Sequence, residues 1–100
     1  MTNRLAVKVH GDFYGYIEGD TFVKEVYGSR HKLRAPEAWA FDKESFDKLI
    51  RPSCTHIVVI DKEVGRRYLC DMATFVKNRG EIDRGHGKQY FLVMKHWIMS

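Results

Sequence analysis

From Arg4 to His10 the chain alternates, with Leu5, Val7 and Val9 on one side and Ala6, Lys8 and His10 on the other. Period two marks a strand with one buried face. Gly11-Asp12 and Gly19-Asp20 punctuate two further runs, Phe13 to Glu18 and Thr21 to Tyr27, so the first quarter of the chain predicts a three-stranded meander. Within it Phe13 and Ile17 fall on one face, and Tyr14 and Tyr16 on the other. Gly28 ends the meander, and residues 28 to 36 form a connection rich in basic side chains.

After Pro36 the short apolar run Ala38-Trp39-Ala40-Phe41 predicts a buried strand. Asp42 is a good N-cap for a helix that sets Phe46, Leu49 and Ile50 on one face, with Glu44 early, Lys48 and Arg51 late, and Pro52 as its stop. His56 to Ile60 is β-branched and apolar, Asp61 to Gly65 reads as a turn completed by a left-handed glycine, and Arg66 to Cys70 is the return strand. Asp71 caps a second short helix with Met72, Phe75 and Val76 inward and Gly80 at its end. Tyr90 to Ile98 reads as one long apolar strand in the middle of the sheet. The expected fold is a single α+β domain over residues 1–100, a small mostly antiparallel sheet in the order βββ(β)αββαβ with two short helices packed on it.

Composition agrees with one compact unit. A chain of 100 residues that is 44% hydrophobic and 13% aromatic supplies one core and excludes both a second domain and general disorder. No apolar run reaches the roughly 18 residues that cross a bilayer, so no membrane association is expected. Two cysteines do not make a disulfide framework, which leads us to expect a reducing cytoplasm.

Lys+Arg 17 against Asp+Glu 13 gives a net charge of +4. The cations cluster at Arg30/Lys32/Arg34, Arg66/Arg67, Lys77/Arg79 and Arg84/Lys88, groups that track a phosphate backbone if the fold gathers them. The densest run of functional side chains is Glu81 to Gln89. There Gly85 and Gly87 allow close backbone approach, while Arg84, His86 and Lys88 suit a phosphate. The same residues also suit a tight turn organised by Asp83. On paper His86 as base, Asp83 as its orienting carboxylate and Arg84 or Lys88 as charge stabiliser make a nuclease-like set, metal-assisted or not.

If the hairpin pairs Ile60 with Arg66, His56 faces Cys70 and Cys54 lies further along that face, three zinc-ligand types that only His31 or His86 completes. The close C-x-x-C pair of a structural zinc site is missing, so neither metal nor cofactor is expected. Aromatics add a line of support for nucleic acid, since tyrosines beside cations stack on unpaired bases, whereas Trp39, Phe41, Phe46, Phe75, Phe91 and Trp97 sit where a core uses them.

The expectation is therefore a non-enzymatic protein associated with DNA or RNA. Arg30, Lys32, Arg34, Arg66, Arg67, Arg84, His86 and Lys88 serve its phosphates, and Tyr14 and Tyr16 its bases. The alternatives are a small protein-binding inhibitor or adaptor of the kind mobile elements encode, and a nuclease built on His86 or a metal. Oligomeric state is open at this level.

Overall fold

The computed structural model describes residues 4–27, 38–83, 85 and 87–99. Its architecture is α+β and mostly antiparallel, but the strands divide into two sheets where the sequence suggests one. The larger has six strands, β1 (Arg4–Val9), β2 (Asp12–Glu18), β3 (Thr21–Val26), β5 (His56–Asp61), β6 (Arg66–Asp71) and β9 (Ile98–Met99), in that spatial order. The smaller has three, in the order β4 (Ala38–Asp42), β8 (Lys88–Val93), β7 (Gly80–Asp83). Every pairing is antiparallel except β3 with β5.

The three-stranded start is present as expected, although its first turn is His10-Gly11, both with positive φ (52° and 84°), and β2 already begins at Asp12. Such a two-residue turn matches the twist of the flanking strands. Of Leu5, Val7 and Val9 only Val7 is fully buried, because β1 is an edge strand with a neighbour on one side only.

Asp42 and Asp71 cap the two helices as expected, accepting from Ser45 N at 3.0 Å and Thr74 N at 3.1 Å. The first helix covers residues 43–53 and is widened in its middle, Phe46–Ile50, into π geometry. Pro52 lies inside its last turn instead of stopping it, and Cys54 N donates to Ile50 O at 2.9 Å to close the end. The second helix is Met72–Asn78.

Three further expectations are corrected. The hairpin pairs Ile60 with Arg67, one residue away from the expected register, because Asp61 stays in the strand and the turn is made by residues 62–65. Gly80–Asp83 is a strand, β7, where a loop was expected. The predicted long strand Tyr90–Ile98 is broken by a 3₁₀ turn at Met94–His96, so β8 ends at Val93 in the smaller sheet and β9 belongs to the larger.

A single core joins these parts. Val7, Ile17, Phe22, Ile57, Val59 and Cys70 come from one face of the larger sheet, and Trp39, Phe41, Tyr90 and Leu92 from one face of the smaller. Phe46, Ile50 and Phe75 come from the helices. Phe41 is its hub, edge-on to Phe75 at 5.3 Å and stacked on Trp97 at 6.2 Å between centroids.

Candidate binding surface

Alternation along β1 to β9 sends a second set of side chains to the face of the larger sheet away from this core. Following the pairings across the strands, Ala6, Tyr16, Val23, Val58, Leu69 and Ile98 form one unbroken row. Five interstrand steps of about 4.8 Å make it about 24 Å long. The margins of this face are exposed: Leu69 is 37% and Ile98 67% exposed, and Phe13, one row away beside Lys8, is 62% exposed. Val23 and Val58, in the two central strands, are buried.

Charged groups border the row. On one side Arg4 bonds Glu18 at 2.8 Å and lays its guanidinium 4.7 Å from the centre of the Tyr16 ring. On the other, Glu25 pairs with Lys62 at 3.2 Å, and Arg67 is exposed. Asp71 at the margin is tied down by Thr74 Oγ1 at 2.6 Å, and that bond holds its carboxyl below the ordinary range.

The two tyrosines named as stacking platforms part company. A β-bulge inserts Tyr14 between Gly15, which pairs Val7, and Phe13, which pairs Lys8, so alternation breaks here and Tyr14 turns toward the core. Its ring stacks on Phe22 at 5.9 Å, its hydroxyl accepts from Asp42 N at 2.7 Å, and Lys24 Nζ lies 4.5 Å from its centre. Burial raises its pKa well above 10.0. The same bulge turns Phe13 outward, opposite to its expected grouping with Ile17. Tyr16 stays on the open face.

Among the named cations, Arg67 shares the open face with Tyr16, while Arg66 sits at the start of β6 pairing Asp61. Lys88 is elsewhere, opposite Asp83 in the smaller sheet. It lines a cleft of about 280 Å³ with His10, Lys43, Asp47, Lys48 and Gly87. Lys43 and Lys48 are already engaged there, by Glu81 at 2.6 Å and Glu44 at 2.9 Å. Asp83 accepts from Gly85 N at 3.1 Å, the role of a turn former. Arg30, Lys32, Arg34, Arg84 and His86, with the basic connection at 28–36 and the alternative ligand His31, lie outside the described residues.

The corrected hairpin register dissolves the arrangement imagined for zinc. His56 pairs Asp71 and falls on the open face, while Cys70 pairs Ile57 and is buried with Cys54 in the core. Among the described residues no group of three or more His, Cys, Asp or Glu is placed to hold a metal ion. None of their helices is long and apolar enough to cross a membrane.

Sequence reasoning missed Leu69 and Ile98 as exposed members of this row. The signal was present in adjacent apolar pairs such as Phe22-Val23, Val58-Val59 and Trp97-Ile98, which leave both faces of a strand apolar. Comparison with family models, curated proteins and solved structures returns no match.

Proposed function

We propose that the protein is a non-catalytic binding module, an inhibitor or adaptor, that holds a protein partner on the open face of its larger sheet. The observation that carries this reading is the row from Ala6 to Ile98, apolar across the whole sheet and bordered by the Arg4–Glu18 and Lys62–Glu25 pairs. Large exposed apolar patches with polar rims mark interaction sites. The test is photo-crosslinking in cells with benzoylphenylalanine replacing Leu69 or, as a control on the covered side, Lys77. A discrete adduct from the Leu69 position alone that Ile98→Asp abolishes is the expected result, and equal labelling from both positions overturns the reading.

A nucleic acid is the second reading, favoured by Phe13 and Tyr16 lying on the same face as Arg4, Lys8 and Arg67. An open sheet with rings and cations is a platform for single strands. Binding of labelled oligonucleotides that falls steeply between about 50 and 200 mM salt, and that Tyr16→Ala and Arg67→Ala weaken, supports it. No binding at the lower salt removes it.

A further inference from the structure

The open face carries a polar row beside the apolar one. Across the strands Arg4 pairs Glu18, Glu18 pairs Thr21, Thr21 pairs His56 and His56 pairs Asp71. Most of these side chains are already engaged. Arg4 is held by Glu18 at 2.8 Å, both Asp71 carboxylate oxygens accept from Thr74, and Thr21 Oγ1 donates to Asp20 Oδ1 at 3.3 Å. His56 differs: it is half-buried, and only its Nδ1 has a hydrogen-bond partner among the described residues, the Thr55 hydroxyl at 2.8 Å.

The direction of that bond follows from counting protons. Thr55 Oγ1 has one hydrogen and two close neighbours, His56 Nδ1 and Asp20 Oδ2 at 3.0 Å. The Thr55 and Thr21 hydroxyls hold the Asp20 carboxyl below the ordinary range, so it is ionised and can only accept. A Thr55 proton turned toward His56 leaves lone pairs facing each other across 3.0 Å, whereas turned toward Asp20 it satisfies the carboxylate and frees Oγ1 to accept. Nδ1 then carries the ring hydrogen. Backbone bonds fix this relay, because Thr55 N donates to Asp20 O at 2.7 Å and Thr55 O accepts from Met72 N at 2.8 Å. In the neutral ring Nε2 is left as a bare acceptor, on a residue that borders the apolar row two positions from Val58.

We propose, on the reading that a protein partner docks on this face, that His56 Nε2 is its polar anchor, accepting a hydrogen bond from an N–H or O–H donor of the partner, and that a proton on Nε2 releases the partner. The charged groups facing His56 are Asp20, from the turn before β3, and Asp71, from β6. Both are occupied by threonine hydroxyls, which leaves Nε2 as the free acceptor of the row. A protonated imidazole has no acceptor, and histidines change charge between about pH 5 and 8.

Two measurements test it. Long-range proton–nitrogen correlation spectra of the isotope-labelled protein at about pH 8 read the tautomer of the neutral ring. The Nδ1–H form is expected for His56 in the wild type and in Thr55→Ser, and the Nε2–H form in Thr55→Val. An Nε2–H ring in the wild type, or a tautomer that Thr55→Val does not change, overturns the proposal. Crosslinking from the Leu69 position is then repeated in extract at about pH 7.5 and about pH 5.5, a window that spans histidine titration. The adduct is expected to fall about tenfold at the lower pH. His56→Phe, which keeps a ring and loses the acceptor, is expected to show that loss already at the higher pH and no further change on acidification. A full-yield adduct in His56→Phe, or an acid loss that persists in it, overturns the anchor and leaves the docking reading standing; no adduct from Leu69 in the wild type removes both.

Discussion

The Tyr14 hydroxyl oxygen stands 2.7 Å from the Asp42 backbone nitrogen, so a side chain of β2 completes the backbone of β4, a strand of the other sheet. The bulge is what makes this reach possible, since without the extra residue Tyr14 points to the open face. Tyr14→Phe keeps the ring on Phe22 and leaves the Asp42 amide without its acceptor. A loss of about 1–2 kcal/mol is expected in guanidinium unfolding, with unchanged slope. Unaltered stability shows that the bond contributes nothing.

Lys24 is the second tie between the sheets and behaves differently with pH. Burial lowers its pKa from 10.5 to about 8, while the Ala40 carbonyl and the Tyr14 and Phe41 rings face its ammonium. Between about pH 8 and 10.5 the unfolded chain binds the proton that the folded one has released, so stability rises with pH across that window. Below it the buried charge costs on the order of 3 kcal/mol relative to the alkaline form. Lys24→Met is expected to flatten this rise, seen by comparing unfolding free energies of the two proteins at neutral and alkaline pH. An equal rise in both assigns it to other groups.

Gly15 lies where β2 crosses the Phe22 ring. A Cβ added there stands 2.7 Å from both Phe22 Cζ and the Val23 carbonyl oxygen. Phe22 is fully buried and the carbonyl is backbone, so neither yields easily. Gly15→Ala is expected to cost about 1–3 kcal/mol and to lower the melting temperature, whereas an unchanged melting temperature means that the strand shifts freely.

The cysteines give a check on solvent access to the core. Burial pushes the Cys54 and Cys70 thiols up to about 11, so few thiolates exist at pH 8 and those are hidden. A thiol reagent is expected to label the native protein only as fast as it unfolds, and both cysteines at once in denaturant. Immediate labelling of either contradicts the packing described.

What was legible in the sequence is local chemistry. The glycine turns of the meander, the Asp42 and Asp71 caps and the α+β class with two short helices follow from neighbours in the chain. The errors lie where one residue changes parity. Tyr14 as the bulge residue exchanges its face with Phe13, and Asp61 retained in β5 moves the hairpin register by one, carrying His56 away from Cys70. Gly80–Asp83 alternates acid with apolar over only four residues, which reads as loop until Tyr90 and Gln89 are there to pair with it. The open face was hidden for another reason: which side of a sheet the helices cover is decided by chain connections, and strands apolar on both sides do not announce which side stays bare.

The parallel seam between β3 and β5 has a kinetic consequence. β1 to β3 and β5 with β6 are each closed by turns between sequence neighbours, but the partners Phe22 and Ile57 are 35 residues apart in the sequence. Non-local pairing of this kind carries its loop-closure cost before it returns any contact, so the seam is expected to form late and to slow folding. Val58→Ala is therefore expected to slow refolding in stopped-flow measurements, and Leu5→Ala at the β1 edge to act mainly on the unfolding rate; the reverse pattern places the barrier elsewhere.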